Sequence, residues 1–251
     1  MKTEGRRDFI RTSVALLGGL PLAALAGPAG SNQSGGLHVV CVGAHPDDPE
    51  SGCGGTLLKL MAAGHKVTVV YLTRGEAGIT GKSHAEAAAI RTAEAKAACV
   101  ILGAAPVFFG QIDGATVFDH SAVEAMDRLC HELAPDLVLA HWPIDTHIDH
   151  QVASLLCQQA WLRAGKKFVL YFYEVCTGIQ SMGFKPTDHV DITAVQAEKR
   201  KTVLCHQSQD PAAIYTTGNH DAMEQFRGNE ISVRAAEAFV RMTGRNDTAF
   251  A

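Results

Sequence analysis

Leu37-His38-Val39-Val40-Cys41-Val42-Gly43-Ala44-His45-Pro46-Asp47-Asp48-Pro49-Glu50 begins as an apolar run and ends in one imidazole and three carboxylates. A short, continuous apolar run that stops at glycine reads as a buried strand. Charged side chains are seldom buried unless they are paired or hold a metal. Here they follow the end of a strand, where ligands bind in open α/β sheets. His45 and Asp48 are three residues apart, so one turn brings both to one ion, and Pro46 stiffens that turn by fixing φ. Adjacent residues in extended backbone point to opposite sides. Asp47 and Asp48 are therefore expected to divide the work, one towards a metal and the other towards its water.

Outward from this stretch, helical and strand patterns alternate. A helix is expected from Gly52 to Ala63, a strand from Lys66 to Thr73, and an Ala-rich helix from Ser83 to Leu102 that stops at Gly103 as at a C-cap. A short strand follows at Val107 to Phe109, then a helix from His120 to Leu133 stopped by Pro135. Asp136 to Ala140 reads as a strand, Asp149 to Ala164 as a helix and Phe168 to Glu174 as a strand. The rest is less regular: a strand at His189 to Ile192, a helix from Val195 to Cys205 and a last helix from Asn219 to Met242. Strands that are apolar throughout and alternate with helices imply a parallel sheet covered on both faces. The fold class is α/β: three layers, with a mostly parallel, Rossmann-like sheet and helices on both faces.

A second polar cluster, His141-Trp142-Pro143-Ile144-Asp145-Thr146-His147-Ile148-Asp149-His150, follows the strand Asp136-Leu137-Val138-Leu139-Ala140. Both clusters thus lie at the same edge of a parallel sheet. His150 completes a set of two histidines and one carboxylate with His45 and Asp48. Three protein ligands and an open position are the arrangement of catalytic zinc. Imidazole and carboxylate donors also suit Fe²⁺ or Co²⁺.

Together, Ala44-His45-Pro46-Asp47-Asp48 and His147-Ile148-Asp149-His150 resemble the signature of the PIG-L/LmbE-like zinc de-N-acetylase family. Leu72-Thr73-Arg74-Gly75-Glu76-Ala77-Gly78, Ile90-Arg91 with Glu94, and His206-Gln207-Ser208-Gln209 agree with it. The resemblance implies that His45, Asp48 and His150 are zinc ligands and that Asp47 is the general base acting on a zinc-bound water. It also implies that His147 stabilises the oxyanion and protonates the leaving amine, that Asp149 orients His147, and that Arg91 contacts substrate. Ile148 stands where many members carry proline.

Several residues admit plainer roles. Asp47 and Asp48 are good helix caps. Arg91 fits an ion pair with Glu94 or Glu86 on its own helix. Glu50 fits either a partner for His45 or a helix N-terminal charge. Glu76 fits a turn, His206, Ser208 and Gln209 an anchor for the C-terminal segment, and Trp142 either a sugar platform or packing.

The chain has 251 residues, 47% hydrophobic and 19% charged, which suits one well-cored domain. Its formal net charge of -4 leaves no footprint for nucleic acid, and its twelve histidines raise the expectation of a metal. Residues 1–30 read as a twin-arginine-type signal peptide. Arg6-Arg7-Asp8-Phe9-Ile10 precedes an apolar run from Val14 to Ala26, shorter than the ~20 residues of a membrane span. Residues 31–36 read as a linker and 37–251 as a single deacetylase domain, with no later segment apolar enough to span. Seven scattered cysteines leave at least one unpaired and read mostly as buried small hydrophobes.

The expectation is an exported, periplasmic or extracellular, zinc-dependent hydrolase. Its substrate would be a small molecule or oligosaccharide carrying an N-acetyl amino sugar. The alternatives are an amidase or esterase on another acylated small molecule, or a metal-dependent carbohydrate-binding protein without turnover. Neither the acceptor sugar nor the oligomeric state is written in these motifs.

Overall fold

A computed structural model describes residues 36–243. The expected signal peptide, and the expected linker apart from Gly36, lie outside the described residues. The elements run β1 (His38–Gly43), α1 (Asp48–Ala62), β2 (Lys66–Tyr71), α2 (His84–Leu102), β3 (Ala105–Phe108), α3 (His120–Leu133), β4 (Leu137–His141), α4 (Ile148–Arg163) and β5 (Val169–Tyr173). They continue with β6 (Asp188–Asp191), α5 (Gln196–Leu204), a 3-10 turn at Gln207–Gln209, α6 (Pro211–Tyr215), α7 (His220–Glu230) and β7 (Ala236–Arg241).

The sheet order is β3-β2-β1-β4-β5-β7-β6. The first five strands are parallel, and β7 runs antiparallel to both β5 and β6. The order reverses at β1, so the crevice between the carboxyl ends of β1 and β4 is the switch point where such sheets bind ligands. Both polar clusters leave the sheet there.

Alternation along the strands splits the core in two. Val39 and Cys41 face one side with Leu57, Leu60, Tyr71, Leu102 and Leu139. Val40 and Val42 face the other with Met126, Val138, Leu156 and Trp161. Helices α1 and α2 therefore cover one face and α3 and α4 the other, as the three-layer reading requires. Leu57 and Leu139 are fully buried, so truncating either to alanine costs about 2–5 kcal/mol.

Local signals set most boundaries. Ser83 caps α2 in a reciprocal box with Glu86, and Gly103 ends it at φ 72°. The edge strand β3 runs over Ala105–Phe108 rather than Val107–Phe109.

Helix α1 starts at Asp48, earlier than expected, because Cys53 breaks the helical backbone at φ −145°, ψ 17° and divides it in two. The apolar periodicity after Gly52 belongs to the second segment. Its freed N–H groups at Gly55 and Thr56 donate to the buried Glu237 carboxylate at 2.9 and 2.7 Å, with Thr56 Oγ1 at 2.6 Å. Asp47 is not extended either. It sits before the helix at φ 114°, so it and Asp48 diverge through a left-handed turn, not through strand alternation.

The expected last helix, Asn219 to Met242, is corrected. It is α7 followed by β7, separated at Ser232, whose φ is 62°. Ala236-Glu237-Ala238-Phe239 alternates as well as it winds. Pairing with both neighbouring strands, and the bonds that Glu237 makes to α1, favour the strand. All seven cysteines are free thiols, four of them buried. Among the described residues no helix is long and apolar enough to cross a membrane.

Candidate active site

The β1–α1 loop and the β4–α4 loop converge over the switch point. One ligand atom each from His45, Asp48 and His150 lies within 4.8 Å of the others, and all three residues are buried. His45 Nδ1 is 3.2 Å from Asp48 Oδ2, and His150 Nε2 is 3.4 Å from Asp48 Oδ1. Two imidazole nitrogens and a carboxylate at this spacing suit a divalent cation, and burial keeps water from competing for them.

His45 also groups with His147 and Asp149. The two sides of its ring decide between the sets. Nδ1 faces Asp48, whereas Nε2 faces Asp149 Oδ2 at 3.1 Å and Asp113 Oδ1 at 3.2 Å. Asp149 already accepts from the Gly114 N–H at 2.8 Å and the Thr116 hydroxyl at 2.6 Å. A carboxylate so tied is an orienting partner, the usual second contact of a ligating histidine. His150 has the same support: its Nδ1 is 3.2 Å from Asp145 Oδ1.

The charge field agrees. Burial opposes charge on His45, but Asp113, Asp149 and Asp48 overcome it and raise its pKa well above the usual value. Burial likewise opposes charge on His150, and Asp48 and Asp145 raise it to about 9. Burial pushes the Asp48 carboxyl up, but His150 and His141 hold it well below the usual range. Burial raises Asp47 to about 6, against the pull of Arg91. His147 is lowered by burial and by the neighbouring His45 and His150.

His45, Asp47, Asp48, Asp113, His147 and His150 line a cavity of about 460 Å³ that also takes in Arg91, Cys176, Gln180, Gln209 and His220. A family model described as PIG-L, GlcNAc-PI de-N-acetylase, matches residues 40–161. The diacetylchitobiose deacetylase of Thermococcus kodakarensis is 32% identical over 193 residues, 70% of this chain and 72% of that protein.

The chain belongs to the PIG-L family.

It is thus an enzyme of a deacetylase family, whose α/β sheet the fold reproduces. Its relatives extend to the 4-oxalmesaconate hydratase of Pseudomonas putida, 29% identical over 195 residues, 70% of this chain and 75% of that protein. The conserved protein TT1542 of Thermus thermophilus superposes with a TM-score of 0.73 at 29% identity, over 86% of this chain and 97% of that one.

Within this PIG-L site, His45, Asp47, Asp48, His147, Asp149 and His150 come together as their motifs imply. One contact differs. The Asp149 carboxylate turns to His45, and only its backbone N–H reaches His147, donating to Nδ1 at 3.2 Å. The reason is that Asp149 lies in the first turn of α4, where its N–H is free for the residue at the N-cap, His147.

Arg91 pairs with neither Glu86, which caps its own helix, nor Glu94, which takes both Ser208 donors at 2.7 Å. Its guanidinium is buried against the β1–α1 loop, with Nη2 on Pro46 O at 2.5 Å and on Asp47 Oδ2 at 3.2 Å. The loop above it makes room with glycine: Gly75 adopts φ 72°, and a Cβ there would lie 2.4 Å from Arg91 Nη1 and 2.5 Å from its Cδ.

Glu76 serves the turn, accepting from the Arg74 and Asp113 N–H groups. Trp142 packs, its Nε1 on Met182 O and its ring edge-on to Phe172 and Phe184. The motifs left three partners unassigned: Asp113, Asp145 and His141, which stacks on His150 at 4.1 Å. His141 and Asp145 sit inside the second cluster, so an alternating reading of that loop had the signal to find them. Asp113 comes from an irregular loop with none.

Proposed function

We propose that this chain is an exported, zinc-dependent hydrolase that removes the acetyl group from an N-acetylated amino sugar or amino-sugar conjugate. The reading is carried by the buried His45, Asp48 and His150 set with the Asp47 carboxylate beside it in the same cavity. Deacetylase relatives support it, and Arg6-Arg7 before an apolar run supports export.

His45, Asp48 and His150 would hold the cation, with Fe²⁺ or Co²⁺ as substitutes. When bound, it acts as a Lewis acid, polarising the amide carbonyl and easing the loss of a proton from water. Asp47 takes that proton as the water oxygen bonds the carbonyl carbon. Arg91 fixes one Asp47 oxygen, which leaves the other to face the cavity. His147 lines the same cavity, its ring centroid 4.6 Å from that of His45, and donates to the developing oxyanion. As the C–N bond breaks, the proton that Asp47 took is delivered to the nitrogen, which restores the base, and acetate and the free amine leave.

The hydratase relative gives a second reading, addition of water to a carbon–carbon double bond, for which the same base and cation would serve. One assay separates them. Purified protein loaded with zinc is given N-acetylglucosamine, its oligomers and a panel of other acetylated sugars, and free acetate is measured. Acetate release is the expected result. No acetate from the panel with metal bound, alongside loss of absorbance from a conjugated unsaturated carboxylate, would replace the first reading with the second.

A further inference from the structure

Glu50 is fully buried and does not itself line the cavity. Its Oε1 accepts the Tyr71 hydroxyl at 2.5 Å. Its Oε2 accepts the Asp47 N–H at 3.2 Å and lies 3.5 Å from Nε2 of His206, which is also fully buried. Asp47 itself has φ 114° and ψ −29°. A non-glycine residue in so sparse a region costs of order 1–3 kcal/mol and persists only where its surroundings over-determine it.

The surroundings supply such restraints. The Asp47 carbonyl takes the Ser51 N–H at 2.9 Å, Arg91 grips the preceding carbonyl and the Asp47 side chain, and Glu50 holds the Asp47 N–H. Released at that N–H, the peptide between Pro46 and Asp47 is free to relax towards negative φ. That rotation swings the carboxylate away from the cavity.

We propose that Glu50 is a positioning residue for Asp47, held in turn by Tyr71 and His206, and that it keeps the base in a backbone conformation Asp47 would otherwise leave. The proposal rests on Asp47 being the proton acceptor. It gives a task to two residues outside the ligand set. Glu50 does not touch His45 and acts as more than a generic helix-end charge, and His206 anchors the base through Glu50. Glu50 also closes a reciprocal capping box with Asp47, reaching from the third helical position to the capping N–H; were that its whole role, its loss would act on stability alone.

Kinetics tests this with the zinc-loaded enzyme and the acetylated sugar it turns over fastest. Glu50→Met matches the length but lacks an acceptor. It is expected to lose about 10²-fold in kcat, the cost of displacing a reacting group by ~1 Å, with KM little changed. Metal content stays at the parental level. Glu50→Gln keeps an acceptor for the Asp47 N–H and recovers most of the loss.

The deciding measurement is the double variant. On an Asp47→Ala background, Glu50→Met is expected to cost nothing further, because no base is left to misplace. An equal loss with and without Asp47, or a parental kcat in Glu50→Met, overturns the proposal. Should Glu50→Met fail to fold, Tyr71→Phe removes one hydroxyl and carries the same cycle with a smaller loss. Parental turnover in Asp47→Ala alone would instead remove the reading of Asp47 as base, and the Glu50 proposal with it.

Discussion

Buried charge is arranged in opposite ways at the two ends of the chain. In the C-terminal segment it closes on itself. Lys199 Nζ lies 2.7 Å from Glu224 and 2.8 Å from Glu237, and Arg227 grips Glu174 at 2.6 and 2.8 Å. These contacts are short, and Lys199, Glu224 and Glu237 are all buried. At the switch point, Asp47, Asp48, Asp113, Asp145 and Asp149 crowd around His45, His141, His150 and Arg91 at 3.1–4.0 Å, and the cluster opens into a cavity. The first arrangement ties β7 and α7 to α5, and α7 to the segment after β5. The second has carboxylates in excess and space before them, which is what a cation and a substrate require. Burial of charge alone does not separate structure from function; how completely the charges neutralise one another does.

Variants break that contrast in graded ways. The largest effect is expected from His150→Ala, which removes a ligand: stoichiometric zinc is lost and turnover with it, as metal analysis and acetate release would report. Zinc retained at one per chain would refute the ligand set. Asp47→Ala is expected to keep the metal while turnover drops about 10²–10⁴-fold, the usual contribution of a general base.

At the other end, Lys199→Met strands two buried carboxylates. It should cost about 3–5 kcal/mol in urea unfolding, the loss typical when one partner of a buried pair is removed. The folded fraction should still bind zinc. A loss of metal affinity without loss of stability would invert the comparison.

The smallest effect concerns pH. Burial holds His220 neutral, with its pKa pushed down to about 3. Its unfolded value is about 6.5, so its contribution to stability is complete above that pH and is lost as pH falls towards 3. Lys199 shifts the other way. Burial lowers it, but Glu224 and Glu237 raise it, so its contribution is complete below about pH 10.4 and fades only in stronger alkali. Urea midpoints of the metal-free protein should therefore decline below about pH 6.5, through His220, and also above it, because His150 is raised to about 9 and its contribution is lost as pH climbs towards that value. His220→Gln should flatten the acid limb; an unchanged acid limb would remove His220 as its source.

How much was legible follows from the range of each signal. Strands β1, β2, β4 and β5 announced themselves because a strand buried on both faces is apolar at every position. Helix α2 carried its own start and stop in Ser83 and Gly103. The grouping of His45, Asp48 and His150 was legible because each lies in the loop or first helical turns that follow the strand placing it. The C-terminal strand was not: Ala236 to Arg241 has no strong local preference, and its pairing partners Tyr171 and Asp188 lie far back in the chain. Asp113 was hidden for the same reason, since only the folded loop brings it to His45. The direction of the Asp149 carboxylate depended on Gly114 and Thr116, which no motif joins to it.

What the chain determined by itself was therefore local: which runs are buried, where helices begin, and that His45, Asp48 and His150 leave neighbouring strand ends. Periodicity and capping act over a few residues, and sequence carries them directly. Tertiary structure decided which carboxylate answers which imidazole, that Arg91 pairs with Asp47, and that Glu50 and His206 stand behind Asp47. Most of those pairings join residues separated by tens of positions, and sheet register and helix packing alone set the few ångströms that make them.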